Sequence, residues 1–374
     1  MGRHQSNPSR REFLTALAGA GGAMLAGSDR LGSAEVDPRV AQIVSRTIAV
    51  DMHNHVQIPY VIIPSHAKPD PHFDLAGEIK RSGFSAIVET YPVDDLWTTE
   101  RDEHYKYHLQ ALAFEDRLLA RNHMRRALNM KDLRTAHDQG QPIIIQAEEG
   151  AQYIEGRLER VEEAYQRGVR TLQLVHEQDD LVSPLGDVYT ATPHLGGLTA
   201  FGAQVIKECN RLGMVVDLTH GSYDMVKGAL KVATQPVLYS HTALEPEPGR
   251  NLSADMRRRL FSKEEARAVA DAGGVIGVWW RAANSTKEYV AAIRDMVDAA
   301  GVDHVGIGTD TDITLPDGSG PLPYTNGIWE DQDGGFFYAV AGEMLRQGFT
   351  PDEIGKIGGG NFCRVFAKVT KGRA

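Results

Sequence analysis

The sequence predicts an α/β protein of the (β/α)8 TIM-barrel class, and three observations support this prediction. Eight short apolar runs recur after residue 34, with the length of parallel strands covered on both faces. Amphipathic patterns with a helical period lie between most of these runs. Six of the eight runs end on a residue that can bind metal or move a proton, and in such a barrel all of these ends meet at one face.

The predicted strands are short apolar runs, many of them rich in β-branched residues. In chain order they are Thr47–Met52, Ser85–Thr90, Pro142–Ala147, Arg170–Val175, Met214–Leu218, Pro236–Ser240, Gly274–Trp280 and His304–Gly308. An open, doubly wound sheet is the alternative, but no G-x-G-x-x-G pattern follows the first strand to support a dinucleotide site. No repeat or linker divides the chain, so we predict a single catalytic barrel domain over residues 35–374.

The helices are predicted from apolar residues that recur on one face. The clearest has Thr199 as its N-cap, an apolar face that includes Cys209, and Gly213 just past its end. The same pattern predicts a helix that ends at Gly168 and another that ends before Gly301.

Composition argues against nucleic-acid binding and a disulfide framework. The net charge is −10 over 374 residues, and no block of Lys and Arg occurs outside the N-terminus. The two cysteines, Cys209 and Cys363, lie in apolar helical patterns, so buried and inert thiols are predicted. A bridge between them is the alternative.

The N-terminus has the layout of a twin-arginine export signal. Arg10 and Arg11 stand in "SRREFL", a weakly hydrophobic stretch runs from Thr15 to Gly27, and small residues near Ser33 suit cleavage. This stretch is too short for a membrane-spanning helix, which needs about 20 apolar residues. A disordered basic arm is the alternative. We predict that residues 1–34 form this signal and a disordered N-terminus, and that the mature protein is periplasmic or extracellular and does not span the membrane.

The residues that end the predicted strands form the candidate site. They are His53 and His55 at the first strand, Glu148 and Glu149 at the third, His176 at the fourth, His220 at the fifth, His241 at the sixth and Asp310 at the eighth. A single histidine after an apolar run is more often a core residue than a ligand. A set of this size at one barrel face indicates an active site.

The candidate residues offer nitrogen and oxygen ligands without a thiolate. This combination suits zinc, with manganese, iron or cobalt as alternatives. Five or six ligands exceed what one tetrahedral ion needs, so we predict two divalent ions that share a carboxylate. Such a pair can bind a hydroxide nucleophile at neutral pH, which is hydrolase chemistry.

Several motifs resemble those of the membrane (renal-type) dipeptidase family, peptidase family M19, whose members are binuclear zinc barrel peptidases related to the amidohydrolases. Besides the strand ends, the motifs are "NRLGMVVDLTHGS", "YSHTA", "GRNLSADM", "VGIGTDTD" and "GGNFCRVF", in the order that the family has them. The resemblance implies a zinc-dependent dipeptidase that acts on small dipeptides, including those with a C-terminal D-residue.

The resemblance also implies which residues hold the metals. His53 matches the first-strand ligand, Glu148 matches the bridging glutamate with Glu149 as the alternative, and His220 and His241 match the ligands of the second zinc.

Three further residues match family positions that act on the substrate. Asp310 matches an aspartate that approaches the first zinc and exchanges protons with substrate, with Asp312 as the alternative. His176 matches a histidine that stabilises the oxyanion without binding metal. Arg250 matches the arginine that receives the substrate's terminal carboxylate, a role that suits its planar guanidinium.

His55 departs from the family pattern, in which this position is an aspartate ligand of the first zinc. An imidazole is neutral and longer than a carboxylate, so the first metal would lose one negative charge. Since H-x-H is the usual form in the wider amidohydrolases, His55 stays a predicted ligand. The departure bears on dipeptide specificity and on occupancy of the first metal site.

We predict a hydrolytic mechanism. In it, a hydroxide that bridges two metal ions attacks the carbonyl carbon of an amide. His176 stabilises the oxyanion, Asp310 passes the proton to the leaving amine, and Arg250 holds the carboxylate. The loops Gln57–Asp74, Glu177–Gly197 and Thr311–Gly334 are long and are predicted to wall the pocket.

Three alternatives for function and assembly remain open at this stage. A related amidohydrolase acting on another small amide, lactam or ester would keep all of these residues. A barrel that binds a ligand without catalysis would have a degenerate metal site. A homodimer is possible as well, although the sequence carries no interface signal.

Overall fold

The structure is a computed structural model, and the residues that it describes are 36–56, 73–93, 98, 100–177, 184–246, 253–314 and 322–372. The predicted export signal lies outside the described residues. So do Arg250 and parts of the three long loops.

Eight parallel strands form a closed barrel, which confirms the predicted fold class. With one short additional strand, the strands of the described residues are Val50–His55 (β1), Ala86–Pro92 (β2), Ile143–Glu149 (β3), Val169–Gln173 (β4), Val215–Asp217 (β5), Leu238–Thr242 (β6), Val275–Val278 (β7), Val305–Ile307 (β8) and Thr311–Asp312 (β9). Each strand from β2 to β7 pairs with the next, and β1 closes the ring between β8 and β2. The short β9 lies beside the end of β1 and is the one strand among the described residues that the sequence did not predict.

Helices follow the strands as the amphipathic patterns predict. They are Pro38–Arg46 (α1), Leu75–Ser82 (α2), Glu103–Arg121 (α3), Met130–Asp138 (α4), Glu159–Gln166 (α5), Ala200–Leu212 (α6), Tyr223–Val232 (α7), Ala254–Arg258 (α8), Lys263–Asp271 (α9), Thr286–Ala300 (α10), Phe336–Arg346 (α11), Pro351–Gly355 (α12) and Asn361–Val369 (α13). Helix α6 has the predicted ends: the Thr199 side chain accepts a hydrogen bond from the backbone N–H of Gly202, and Gly213 adopts a left-handed conformation at the C-terminus.

The barrel interior is apolar, and α13 packs against it. Alternate strand residues such as Val50, Met52, Ile143 and Ile145 belong to one hydrophobic cluster together with Phe366 of α13. Helix α13 thus helps to fill the interior, and the polar residues at the strand ends remain for the opposite, carboxyl-terminal face.

Both cysteines are free thiols, and Cys209 is buried as predicted, whereas Cys363 is half-buried. Burial raises the pKa of the Cys363 thiol to about 12, so it is not reactive at neutral pH. Among the helices of the described residues, none has both the length and the apolar character that crossing a membrane requires.

Candidate metal centre

The predicted strand-end residues converge at the carboxyl-terminal face of the barrel. Among the described residues, three groups have side-chain atoms close enough to share an ion: His53, His55 and Asp310; His53, Glu149 and His241; and Glu149, His176 and His220. The groups share His53 and Glu149, so they form one continuous cluster. Five of the six predicted metal ligands belong to this cluster.

Glu149 occupies the middle of the cluster. Its Oε1 atom lies 3.4 Å from the Nε2 atom of His53, 3.3 Å from that of His220 and 3.5 Å from that of His176. Its Oε2 atom lies 3.9 Å from the Nε2 atom of His55. A carboxylate within reach of all four imidazoles has the placement that a shared ligand needs.

Glu148, the predicted bridging ligand, is not in the cluster, whereas Glu149, the alternative to it, is. Neighbouring side chains in a strand point to opposite faces, and Glu149 shares the inward phase of Ile143, Ile145 and Ala147. Glu148 therefore points outward, towards α3. There it is fully buried, and its Oε1 atom accepts a hydrogen bond from the Tyr91 hydroxyl at 2.9 Å and lies 2.8 Å from His108 Nδ1.

An irregularity in β1 turns both of its histidines into the cluster. Val50 and Met52 face the barrel interior, and the pairing register with β2 then shifts between Asp51 and Asn54. After the shift, His53 and His55 face the cluster together, with ring centroids 5.0 Å apart.

Asp51 fixes this distorted end of β1 to the segment that carries Asp310. The Asp51 carboxylate accepts hydrogen bonds from the Thr309 backbone N–H at 2.9 Å and from the Asn54 side chain at 2.9 Å. The Asp310 backbone N–H donates to the carbonyl of His53 at 2.9 Å. The first and last residues of the cluster along the sequence are thus held side by side by buried hydrogen bonds.

Four histidines direct Nε2 into the cluster while Nδ1 is held from behind. The His55 Nδ1–H donates to the carbonyl of Thr90 at 2.9 Å, and the hydroxyl of Tyr189 lies 3.0 Å from His220 Nδ1. The other two histidines share one hydroxyl group, because Ser240 Oγ lies 3.2 Å from Nδ1 of both His53 and His241. Such contacts orient the rings of metal-binding histidines.

Two cluster residues adopt a left-handed backbone conformation that is uncommon outside glycine. The φ angles are 68° at His220 and 55° at Asp310. Such strain persists only where the surrounding structure imposes it, and it concentrates at functional sites.

The cluster stabilises its carboxylates in the ionised form. Burial would raise the pKa of Glu149, but the charges of His176 and His53 and the hydrogen bond from His220 outweigh burial and hold it well below its ordinary value. Burial would likewise raise the pKa of Asp310, but His241 and His55 outweigh it, and the pKa is lowered.

The histidines divide into two classes. Burial, with the charge of a neighbouring histidine, lowers the pKa of His220 and of His241, which favours the neutral imidazole that a metal ion binds. Burial also disfavours the charged form of His55. The hydrogen bond to Asp310 and the charge of Glu149 outweigh this effect and raise the pKa of His55 to about 9.

Several nitrogen atoms of the cluster have lone pairs that no protein group uses in the described residues, and this is what a metal centre requires. The Nε2 atom of His53 is buried and makes no hydrogen bond within the described part of the chain. The Nε2 atoms of His220 and His241 lie 3.1 Å apart, and two neutral rings can place at most one proton between them. Imidazole lone pairs that converge beside two carboxylates are the donor set of a zinc-type site.

The remaining predicted residues lie elsewhere or outside the described residues. Asp312, the alternative to Asp310, belongs to β9, and its Oδ1 atom accepts a hydrogen bond from the Thr314 backbone N–H at 2.8 Å. Asp312 is in none of the three groups, which favours Asp310. Arg250 cannot be placed, because it lies outside the described residues.

Sequence reasoning missed the residues that support the ligands. Tyr189 belongs to a long loop and Ser240 precedes His241, and neither carried a signal. The sequence held a partial signal for Trp279. The seventh predicted strand is one of two that do not end on a candidate metal-binding residue, and it ends on "VWW". The indole Nε1–H of Trp279 donates to Asp310 Oδ2 at 2.8 Å.

Known proteins share this fold and parts of this sequence. Dipeptidase verJ of Clonostachys rogersoniana is 30% identical over 213 residues, which are 55% of this chain and 50% of that protein. The chain thus matches about half the length of that relative. An amidohydrolase from Pseudomonas aeruginosa superimposes with a TM-score of 0.71 at 21% identity, over 88% of this chain and 98% of the other.

A second solved structure has the same fold. It is a metallopeptidase from Rhodobacter sphaeroides, liganded with a phosphinate mimic of the dipeptide L-Ala-D-Ala. Its TM-score is 0.65 at 20% identity, over 86% of this chain and 99% of the other.

The family predicted from the motifs is confirmed by the family profile. The profile described as membrane dipeptidase, peptidase family M19, matches residues 38–374, which include all of the cluster. The chain belongs to the membrane dipeptidase family, peptidase family M19.

Proposed function

We propose that this protein is a metal-dependent dipeptidase that hydrolyses the amide bond of small dipeptides. The observation that carries the proposal is the position of Glu149, whose carboxylate oxygens lie within 3.9 Å of the Nε2 atoms of His53, His55, His176 and His220. Family membership supports the substrate class. The dipeptide mimic bound to the Rhodobacter sphaeroides metallopeptidase supports substrates with a C-terminal D-residue.

The cofactors that we propose are two Zn²⁺ ions. His53, His55 and Asp310 would hold one ion, His220 and His241 the other, and Glu149 would contact both. Bound ions of this kind polarise a carbonyl and activate a water molecule at neutral pH. Nitrogen and oxygen donors without thiolate are compatible with zinc.

Three further roles are proposed, and two of them belong to residues that line the mouth of the cluster. Side chains of Asp310 and His176 each expose 14% of their surface, whereas Glu149 exposes 3%, so the first two are accessible to a substrate. Asp310 would accept a proton and return it to the leaving amine. His176 would donate a hydrogen bond to the oxyanion, and Arg250 would receive the terminal carboxylate.

The location that we propose is the periplasm, reached through the twin-arginine signal in residues 1–34. The pair Arg10–Arg11 and the weakly hydrophobic stretch after it support this proposal. Replacing both arginines with lysine is a direct check, since it should leave the protein inside the cell.

Metal content and a substrate panel test the proposed activity. We expect two zinc ions per chain, hydrolysis of L,L- and L,D-dipeptides, loss of activity on chelation and its return with zinc. Hydrolysis of a lactam or ester panel alone would make the protein a related amidohydrolase. Less than one ion per chain would contradict catalysis altogether.

The variant His55→Asp, which restores the residue usual in the family, tests the departure at this position. We expect it to change the zinc stoichiometry or the preference between L,L- and L,D-dipeptides, because it adds a negative charge beside the first ion. If neither quantity changes, His55 is not a ligand.

Zinc affinity should depend on pH through His55. Its pKa of about 9 means that the ion-free protein carries a proton on His55 below that pH, and zinc must displace this proton. Affinity should therefore rise about tenfold per pH unit towards pH 9 and level off above it. Competition with a chelator calibrated at each pH measures this slope. In His55→Asp the slope should be close to zero, and an equal slope in both proteins would contradict the assignment.

A further inference from the structure

The contact between Trp279 and Asp310 gives the two carboxylate oxygens of Asp310 separate partners. Oδ2 accepts a hydrogen bond from the Trp279 Nε1–H at 2.8 Å. Oδ1 lies 3.2 Å from the Nε2 atom of His55 and 3.9 Å from that of His53. One oxygen therefore faces the metal centre while the other is held by the indole.

The plane of a carboxylate is not fixed by its own chain. The last torsion of an aspartate is broad, so the two oxygens exchange places unless a neighbour holds one of them. An indole N–H can donate but cannot accept, so it pairs with a carboxyl oxygen that carries no proton. Trp279 is the group that supplies this constraint at Asp310.

Trp279 is itself held rigidly at the end of β7. Only 4% of its surface is exposed, and its backbone N–H donates to the carbonyl of Thr242 at 2.8 Å. Its ring lies beside that of His241, with centroids 6.0 Å apart, and the guanidinium of Arg281 lies 5.4 Å from its ring centroid. The indole thus connects the ends of β6 and β7 to the residue that follows β8.

We propose that Trp279 is a positioning residue, which holds Asp310 Oδ2 so that Oδ1 stays turned towards His53 and His55. The proposal rests on the proposed metal centre and deepens it. Without the indole N–H, the carboxylate can rotate, and the ion held by His53, His55 and Asp310 loses a fixed oxygen. Outer hydrogen bonds of this kind are worth about 10–100-fold in metal affinity.

The variant Trp279→Phe tests the proposal, because it removes the N–H and keeps an aromatic ring. We expect the weaker of two zinc-binding steps to lose about 10–100-fold in affinity, measured by chelator competition on the full chain. On a dipeptide substrate, kcat should fall about tenfold or more while KM stays within about twofold, because the substrate's own contacts are untouched.

The neighbouring Trp280 provides a matched control. Its Nε1 atom makes no hydrogen bond within the described residues, so Trp280→Phe removes an N–H that holds nothing. We expect zinc affinity and kcat of Trp280→Phe to equal those of the wild type. An equal loss in both variants would overturn the proposal.

Intrinsic fluorescence gives a readout that does not require Trp279→Phe to fold. Zinc should change the emission of Trp280→Phe, which retains Trp279, because the charge that Asp310 presents to the indole changes. An emission that does not respond to zinc in this variant would overturn the proposal. So would unchanged zinc affinity in a folded Trp279→Phe, which would reduce Trp279 to a packing residue. If the wild type binds zinc but hydrolyses no dipeptide, the proposed function fails while the affinity comparison still decides the role of Trp279.

Discussion

Glu149→Gln should abolish zinc binding and hydrolysis, whereas Glu148→Gln should leave zinc binding intact. The two residues are neighbours in β3, and the same change is made at both, so the pair isolates the effect of position. Glu149 lies among the Nε2 atoms of three histidines, and Glu148 lies on the outer face of the barrel with Tyr91 and His108.

The expected loss at Glu149 is large because the side chain belongs to both halves of the cluster. Outer partners of metal ligands are worth about 10–100-fold in affinity, so the loss of a shared ligand should exceed about 100-fold. Zinc content by mass spectrometry and hydrolysis of a dipeptide measure it. The protein should remain folded, since the contacts of Glu149 are with the cluster histidines and one long hydrogen bond from Gln173 Nε2 at 3.4 Å, which glutamine can still accept.

The expected effect at Glu148 is on stability. Glutamine keeps the size of the side chain but removes the charge that accepts the Tyr91 hydrogen bond and lies beside His108. A charge-assisted hydrogen bond is worth about 1.5–3 kcal/mol, so the free energy of unfolding should fall by roughly that amount. Urea denaturation measures this. Loss of zinc from Glu148→Gln with its retention in Glu149→Gln would contradict the placement of both residues.

The choice between these two glutamates shows what the sequence could not determine. Strand alternation requires that they point to opposite faces, but it does not say which one points inward. Usually the apolar residues decide, but here Ile143, Ile144 and Ile145 are all apolar, because a parallel strand in a barrel is buried on both faces. Which residues of β3 face the barrel interior is fixed only when β3 pairs with its neighbouring strands.

The fold was predictable because its signals are local. The helix that begins after Thr199 and ends at Gly213 carries its own caps, and the structure has it at those bounds. The ends of strands gather at one barrel face whatever their sequence separation, which brought His53 and Asp310 together in the prediction.

The supports of the site were not predictable because they are contacts between distant segments. Tyr189 reaches His220 from a loop, and Ser240 holds His53 from another strand. The irregularity in β1 that turns His53 inward depends on Asp51 and Thr309, which are far apart in the sequence. None of these contacts leaves a periodic or spacing signal in the chain.

Gly308→Ala should cause the largest loss of stability among the changes considered, and it should disturb the metal centre as well. A Cβ atom at Gly308 would lie 1.7 Å from the carbonyl oxygen of Ser240, and one at Gly277 would lie 1.8 Å from the same atom. The ends of β6, β7 and β8 therefore approach so closely that only hydrogen fits at both positions. Backbone atoms cannot rotate away as a side chain can, so the strands must separate.

The consequences of that separation follow from the role of Ser240. Overpacking a core costs about 1–3 kcal/mol where side chains can give way, and a backbone clash should cost about 3 kcal/mol or more. Because the Ser240 hydroxyl contacts both His53 and His241, moving its backbone also misplaces two ligands. Urea denaturation of the zinc-free protein separates the first effect from the second, which zinc titration then measures.

Gly342→Ala is the matched control, since it is the same substitution in an open position of α11. The nearest atoms to an added Cβ there are 3.7 Å away, which is ordinary van der Waals contact. Alanine replaces glycine inside a helix, so this variant should gain about 0.5–1 kcal/mol and bind zinc as the wild type does. If Gly308→Ala matched it in both measurements, the close approach of the three strands at Ser240 would be disproved, and with it the account of how one hydroxyl orients two histidines.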